Sequence, residues 1–243
     1  MIETKVEIPG LGAEALLLRP DDIAEFPGVV FLTDIWGIRP GPISVAKRLC
    51  ERGFAVLMPN VFHRYSRMTP DGFEHGDHDE KMKALHALFQ ALTPQNMVDD
   101  GRAYIDFLLA QKGVTKGKLG AVGYCFTGQM AVRMAAAEPD KVAAAASFHG
   151  GFLVTDNPDS PHQILGPIKA RLYFGHAVED SSATPEQVET LEAALRDWHG
   201  AFQSEVYDGA RHGWTVPGRD VYNEVQAERA FEKLVELFEG TLE

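Results

Sequence analysis

Cys125, Asp180 and His212 are the residues of this chain whose types and order could do covalent chemistry. A thiol attacks carbonyl carbon, an imidazole carries the proton, and a carboxylate holds the imidazole in one tautomer. Cys125 stands in "GYCFTGQM" (123–130), Asp180 in "HAVEDSSATP" (176–185) and His212 in "DGARHGW" (208–214). Each follows a short apolar run that reads as a buried strand. The chain order is nucleophile, acid, base, the order of a nucleophile-elbow hydrolase.

The first of these stretches has a competing reading. Gly123 and Gly128 have the outer spacing of a phosphate loop. That loop needs Lys and then Ser or Thr after its second glycine, to reach phosphates and magnesium. Gln129 and Met130 stand there instead, and the glycine spacing fails the dinucleotide fingerprint as well. An elbow asks for a small residue two before the nucleophile, and Gly123 supplies it. Two after Cys125 stands Thr127 where glycine is usual, with Gly128 one further on, which implies an adjusted turn. An elbow places the nucleophile at a helix N-terminus, where free N–H groups favour thiolate. Taken alone, Cys125 is as readily a buried structural cysteine. Asp180 and His212, both just past strand ends, turn the balance to a triad. Glu179 is the rival acid, and Asp208 beside Gly209 reads as a turn residue.

These residues need strands and helices to hold them. Six apolar runs occur, at 28–33, 54–59, 118–124, 142–148, 170–175 and 201–207, nearly unbroken by polar residues. Such runs fit strands buried on both faces. Helical patterns alternate with them. Ile43, Ala46, Leu49 and Cys50 share one face of a helix that stops at Gly53. Thr93 and Pro94 open a second, with Val98, Ile105 and Leu109 as its stripe. Thr184, Pro185 and Gln187 form the capping box of a third. Ala227, Phe231, Leu234, Val235 and Phe238 stripe the last. This alternation predicts α/β architecture, with one mainly parallel sheet covered on both faces and the chemistry beyond the carboxyl ends of its strands.

Composition agrees. The chain has 243 residues, 45% of them hydrophobic, and a formal net charge of −12. The charge disfavours nucleic acid and anionic membrane as partners. No apolar run has the length of a bilayer span, and the N-terminal stretch lacks the pattern of a signal peptide. Two cysteines, Cys50 and Cys125, make no disulfide framework, which fits a reducing cytoplasm.

Together "GYCFTG", "YFGHAVEDSSATPEQ", "YDGARHGWTVP", "TDIWGIRP" and "MPNVFHR" resemble the dienelactone hydrolase family of the α/β-hydrolase superfamily. The likeness runs from about residue 5 to the C-terminus and implies a single α/β-hydrolase domain over 1–243. It implies hydrolysis of carboxylic esters or lactones through Cys125, His212 and Asp180, with no cofactor and no metal. It also implies an oxyanion hole from the backbone N–H groups of Ile35 and Phe126. Phe126 follows the nucleophile and Ile35 the 28–33 strand, as such donors should. Family members carry an acidic residue, usually Glu, beside the thiol. Asp34 holds that place with a shorter reach, and its other reading is a turn residue before Trp36 and Gly37.

The remaining candidates are fewer. His75 to Glu80 has metal-ligand residue types but reads as a solvated loop. His149 follows a strand and either lines the pocket or, the favoured reading, is a satisfied loop histidine; His176 reads as structural, and Cys50 as core. Trp36, Trp214 and Phe62 follow strands near the expected mouth, where they either wall an apolar pocket or simply pack. Relatives grip a substrate carboxylate with arginine, one of them shortly after the catalytic histidine. Here "GWTVP" follows His212, with no cation. Arg211, Arg39, Arg64 and Lys83 could supply one. The expected substrate is therefore a neutral or aromatic-flanked ester or lactone, met by a monomer or small homo-oligomer. A thiol-dependent acyltransferase and a non-catalytic binding protein on the same fold are the alternatives.

Overall fold

In the computed structural model, residues 1–65, 83 and 87–242 are described. Eight strands form one sheet in the order β1-β2-β4-β3-β5-β6-β7-β8. They are β1 (Ile2–Ile8), β2 (Ala13–Arg19), β3 (Gly28–Leu32), β4 (Ala55–Pro59), β5 (Leu119–Tyr124), β6 (Val142–Phe148), β7 (Arg171–Ala177) and β8 (Phe202–Tyr207). From β4 to β8 every pairing is parallel. The β1–β2 hairpin joins the edge antiparallel to β4.

All six runs read as buried strands are strands. The hairpin is the addition. Most of β1 is exposed; Ile2, Thr4, Val6 and Ile8 alternate with Glu3, Lys5 and Glu7, a half-polar pattern unlike a continuous apolar run. β2 is mostly buried, yet its apolar core is Ala and Leu, without the β-branched residues that mark a strand.

Side chains alternate along each strand, so the sheet feeds two cores. Val29 and Phe31 join α1 (Pro40–Glu51) and α5 (Glu224–Glu239) on one face. Val30 and Leu32 join α2 (Pro94–Ala110), α3 (Gly128–Ala137) and α4 (Pro185–Trp198) on the other. The caps fall where the sequence puts them. Thr93 and Thr184 accept the N–H groups of Asn96 and Gln187. Gly53, at φ +91°, ends α1 by donating to Cys50 while Phe54 donates to Leu49, a Schellman closure.

The stripe of α2 sits about one residue from its expected place. Val98 and Leu109 are only half-buried, and Met97, Asp100, Gly101, Tyr104, Ile105 and Leu108 face inward. Gly101 explains this, because a Cβ there would stand 2.5 Å from Met134, so α2 and α3 touch along that side.

Candidate active site

β5 delivers Cys125 into a sharp turn. Cys125 has φ +58°, a single 3₁₀ turn spans Cys125–Thr127, and α3 starts at Gly128. Two glycines make the turn possible. A Cβ at Gly123 would lie 2.2 Å from the Thr127 carbonyl oxygen, and one at Gly128 would lie 2.2 Å from Ser147 Oγ. Thr127 has its own task. Its hydroxyl accepts the Tyr124 N–H at 3.0 Å and shares its one proton between the carbonyl oxygens of Leu32 and Thr33, at 3.0 and 2.9 Å. The elbow is thereby tied to the end of β3, which glycine could not do.

The loops after β7 and β8 bring the other two groups. His212 Nε2 is 3.0 Å from Cys125 Sγ, and His212 Nδ1 is 2.6 Å from Asp180 Oδ2. Asp180 is buried and accepts the Ser182 N–H on its other oxygen at 2.8 Å. Its neighbour Glu179, at φ +55°, is exposed and takes no part in this chain of contacts. Burial opposes charge on His212. The hydrogen bond to Asp180, the contact with the Cys125 sulfur and the charges of both outweigh it, and raise the imidazole from 6.5 to about 10. The contacts with Asp180 and Cys125 thus favour the imidazolium form of His212.

A cavity of about 280 Å³ opens over these groups. Ile35, Trp36 and Phe126 line it, as does Asp34. The buried Asp34 carboxylate is gripped by Arg39 at 2.6 and 2.8 Å and accepts the Trp36 N–H at 3.1 Å. Arg39 is thus occupied rather than free for a substrate. His149 also lines the cavity. It is buried, its Nε2 is 2.9 Å from Thr215 Oγ1, and its ring stands edge-on 5.1 Å from that of His212. Burial, then the charges of His212 and Arg219, hold His149 well below 6.5, so it is neutral.

Three expected contributors stand elsewhere. Trp214 is fully buried against Tyr207 and His149, because its chain turns inward after Gly213. Arg64 is drawn to the fully buried Asp100, at 2.6 and 3.1 Å, and does not line the cavity. Phe62 belongs to the core. His75 to Glu80 lies outside the described residues. Cys50 is core, and burial pushes its thiol up to about 11.

One cation was missed. Arg219, seven residues after His212, lines the cavity, lies over the Trp36 ring at 5.3 Å and reaches within 3.9 Å of Asp34. The expectation that no cation follows the histidine closely enough therefore fails: the chain returns through "VPGRD" and brings Arg219 back. Two arginines face one carboxylate here, which leaves the mouth locally positive although the chain is acidic. Phe89, on a helical turn, and Phe152, four residues past β6, also line the cavity and were missed.

A parallel sheet with a strained cysteine elbow, and an acid and a histidine on later strand ends, is the arrangement of the α/β-hydrolases. The similarities narrow it. Residues 13–242 match the model of the dienelactone hydrolase family. A putative carboxymethylenebutenolidase of Synechocystis sp. is 28% identical over 244 residues, with 98% of this chain and 97% of that one covered. The carboxymethylenebutenolidase of Rhodococcus opacus is 28% identical over 246 residues, with 96% and 89% covered. A putative dienelactone hydrolase from Klebsiella pneumoniae superposes with a TM-score of 0.86 at 22% identity, covering 98% of both chains. This chain belongs to the dienelactone hydrolase family and is a hydrolase of the lactone and carboxylic-ester class. No helix of the described residues is long and apolar enough to cross a membrane.

Proposed function

We propose that this hydrolase works through a thioester on Cys125, with His212 as proton carrier and Asp180 as its orienting carboxylate. The observation that carries this reading is the unbroken line from Asp180 through His212 to Cys125, with contacts of 2.6 and 3.0 Å. The sulfur attacks the ester carbonyl while the imidazolium forms or persists beside it. Negative charge gathers on the carbonyl oxygen, where the Phe126 and Ile35 N–H groups are the donors we assign, each worth about 3 kcal/mol at such sites. As the tetrahedral adduct collapses, the C–O bond breaks and His212 Nε2 gives its proton to the leaving oxygen. Water then attacks the thioester, His212 takes its proton, and the acid departs as the C–S bond breaks. With a lactone both halves stay in one ring-opened hydroxy acid.

Asp34 is held by Arg39 and by the Trp36 N–H, so its proposed part is to shape the Ile35 turn rather than to move a proton. Arg219 amends the substrate expected from the sequence, since a cation at the mouth admits an anionic group. We read the chain as one domain with small-molecule substrates.

The test is a brief pulse of p-nitrophenyl acetate followed by mass spectrometry. One acetyl group should appear on Cys125, decay in water alone and be absent from Cys125→Ala. An adduct that decays only with an added acceptor would make the protein a transferase, and no adduct would remove the covalent mechanism.

A further inference from the structure

The cavity has two unlike walls. Arg219, Asp34 and Trp36 stand together on one, and Phe89, Phe126 and Phe152 on the other. The three phenylalanine rings close a triangle, with centroids 4.6, 5.5 and 5.9 Å apart. Two of them remain open to solvent, Phe89 at 36% and Phe152 at 46%. Phe152 also holds φ +59°, a conformation an aromatic residue rarely adopts. Strain of that kind persists only where the surroundings enforce it, and it gathers at functional sites. Here the surroundings are the elbow itself, since the Gly151 N–H donates to the Cys125 carbonyl at 3.1 Å. A strained backbone that leaves a large apolar ring in water is not explained by packing.

The walls also have sides. Arg219, held by Asp34 and Trp36, comes near the histidine as well, since a Cβ at Gly213, next to His212, would be 3.9 Å from its Nε. Phe126 belongs to the nucleophile, being its neighbour in the turn. The leaving oxygen must meet His212 Nε2, so the leaving group lies toward Arg219. The acyl group stays on sulfur, beside Phe126. Resting on the thioester reading above, we propose that Phe89, Phe126 and Phe152 form an acyl subsite for an aryl or comparably bulky apolar group, with Phe152 its specificity-determining residue. The substrate class is an ester or lactone that is apolar on the acyl side of the scissile bond and polar or anionic on the other.

The experiment compares p-nitrophenyl acetate with p-nitrophenyl 3-phenylpropanoate in the wild type, Phe152→Gly and Phe89→Ala. Glycine suits the positive φ, so Phe152→Gly removes the ring without adding strain. The phenylpropanoate should be preferred in the wild type. Phe152→Gly should lower its kcat/KM relative to that of acetate by about tenfold, as loss of an aromatic contact implies. Equal losses on both esters, or none on either, would overturn the subsite. Binding of 3-phenylpropanamide against propanamide by calorimetry reads the subsite without turnover. Tighter binding of the phenyl compound, lost in Phe152→Gly, supports the subsite even if neither ester is hydrolysed, in which case the catalytic reading alone falls. Equal binding of the two amides sinks the subsite while leaving catalysis intact.

Discussion

Replacing Asp180 by asparagine should expose how much of the site depends on one buried oxygen. Asp180 Oδ1 accepts the Ser182 N–H at 2.8 Å, and Oδ2 meets His212 Nδ1 at 2.6 Å. An asparagine would keep its carbonyl oxygen on that N–H, so its NH₂ group must face Nδ1. Two donors cannot share that contact. His212 would then accept at Nδ1 and carry its proton on Nε2, the wrong nitrogen for taking a proton from Cys125. The same exchange in a serine-protease triad costs about 10⁴ in kcat, or roughly 5 kcal/mol of barrier. A similar loss is expected here on p-nitrophenyl acetate. The pH profile gives a second readout. Asp180 is among the groups that lift His212 to about 10, so the alkaline limb of kcat/KM should lie near pH 10 and move toward 6.5 in the variant. Stability shares the sign. Because the folded pKa is raised, the stabilisation is complete below pH 6.5 and lost as pH rises through about 10. The wild type should lose more Tm between pH 7 and 10 than the variant does. A rate loss under tenfold, with the limb still near pH 10, would refute the argument.

Four further outcomes follow from the same geometry. Iodoacetamide at pH 8 should label Cys125 and leave Cys50 untouched, since burial holds the Cys50 thiol up at about 11; peptide mapping decides it. Thr127→Val strips the Tyr124 N–H of its acceptor and should cost about 1–3 kcal/mol in urea unfolding, with activity falling as well. Arg219→Gln should raise KM for a carboxylated ester several-fold while sparing its methyl ester, a difference that fades with salt. Arg64→Ala leaves the buried Asp100, among the described residues, with His63 at 3.8 Å as its remaining ion-pair partner, and should lower stability by roughly 1–3 kcal/mol, with ester kcat/KM unchanged.

Sequence alone revealed the elements whose burial is two-sided. Strands β3 to β7 are continuous or nearly continuous apolar runs because helices cover both faces, and that composition can be read directly; β8, at the edge, is only partly buried and carries Gln203, Ser204 and Glu205. The β1–β2 hairpin has one open edge and mixed faces, so its pattern carried no such mark. On α2 the stripe was misplaced because hydropathy rewards Val98 and Leu109 and ignores Gly101 and Asp100. Gly101 is inside for want of a side chain against Met134, and Asp100 because Arg64 meets its charge. At the site, Cys125 directly follows β5, while Asp180 and His212 lie on the short loops after β7 and β8, so all three were legible from strand ends that converge by topology. Arg219 reaches the cavity through the return path of a loop and Phe89 from a helical turn, while Phe152 lies four residues past β6 and was not weighed. Trp214 misled for the same reason: being near His212 in the chain says nothing of which way the ring turns.

The hydroxyl of Thr127 joins two turns that come from different strands. Cys125 and Phe126 lie on one side of that join, and Thr33, Asp34 and Ile35 on the other. β3 and β5 already pair through Leu32 and Gly123, and the Thr127 hydroxyl carries that pairing one step further, past the strand ends and into the turns that hold the two assigned oxyanion donors. Joined, the two turns keep their separation through hydrogen bonds of 2.9 and 3.0 Å. A cavity that takes unlike substrates can then reshape its outer walls, Phe152 or Arg219 for instance, while the ruler against which the carbonyl is measured stays the same length.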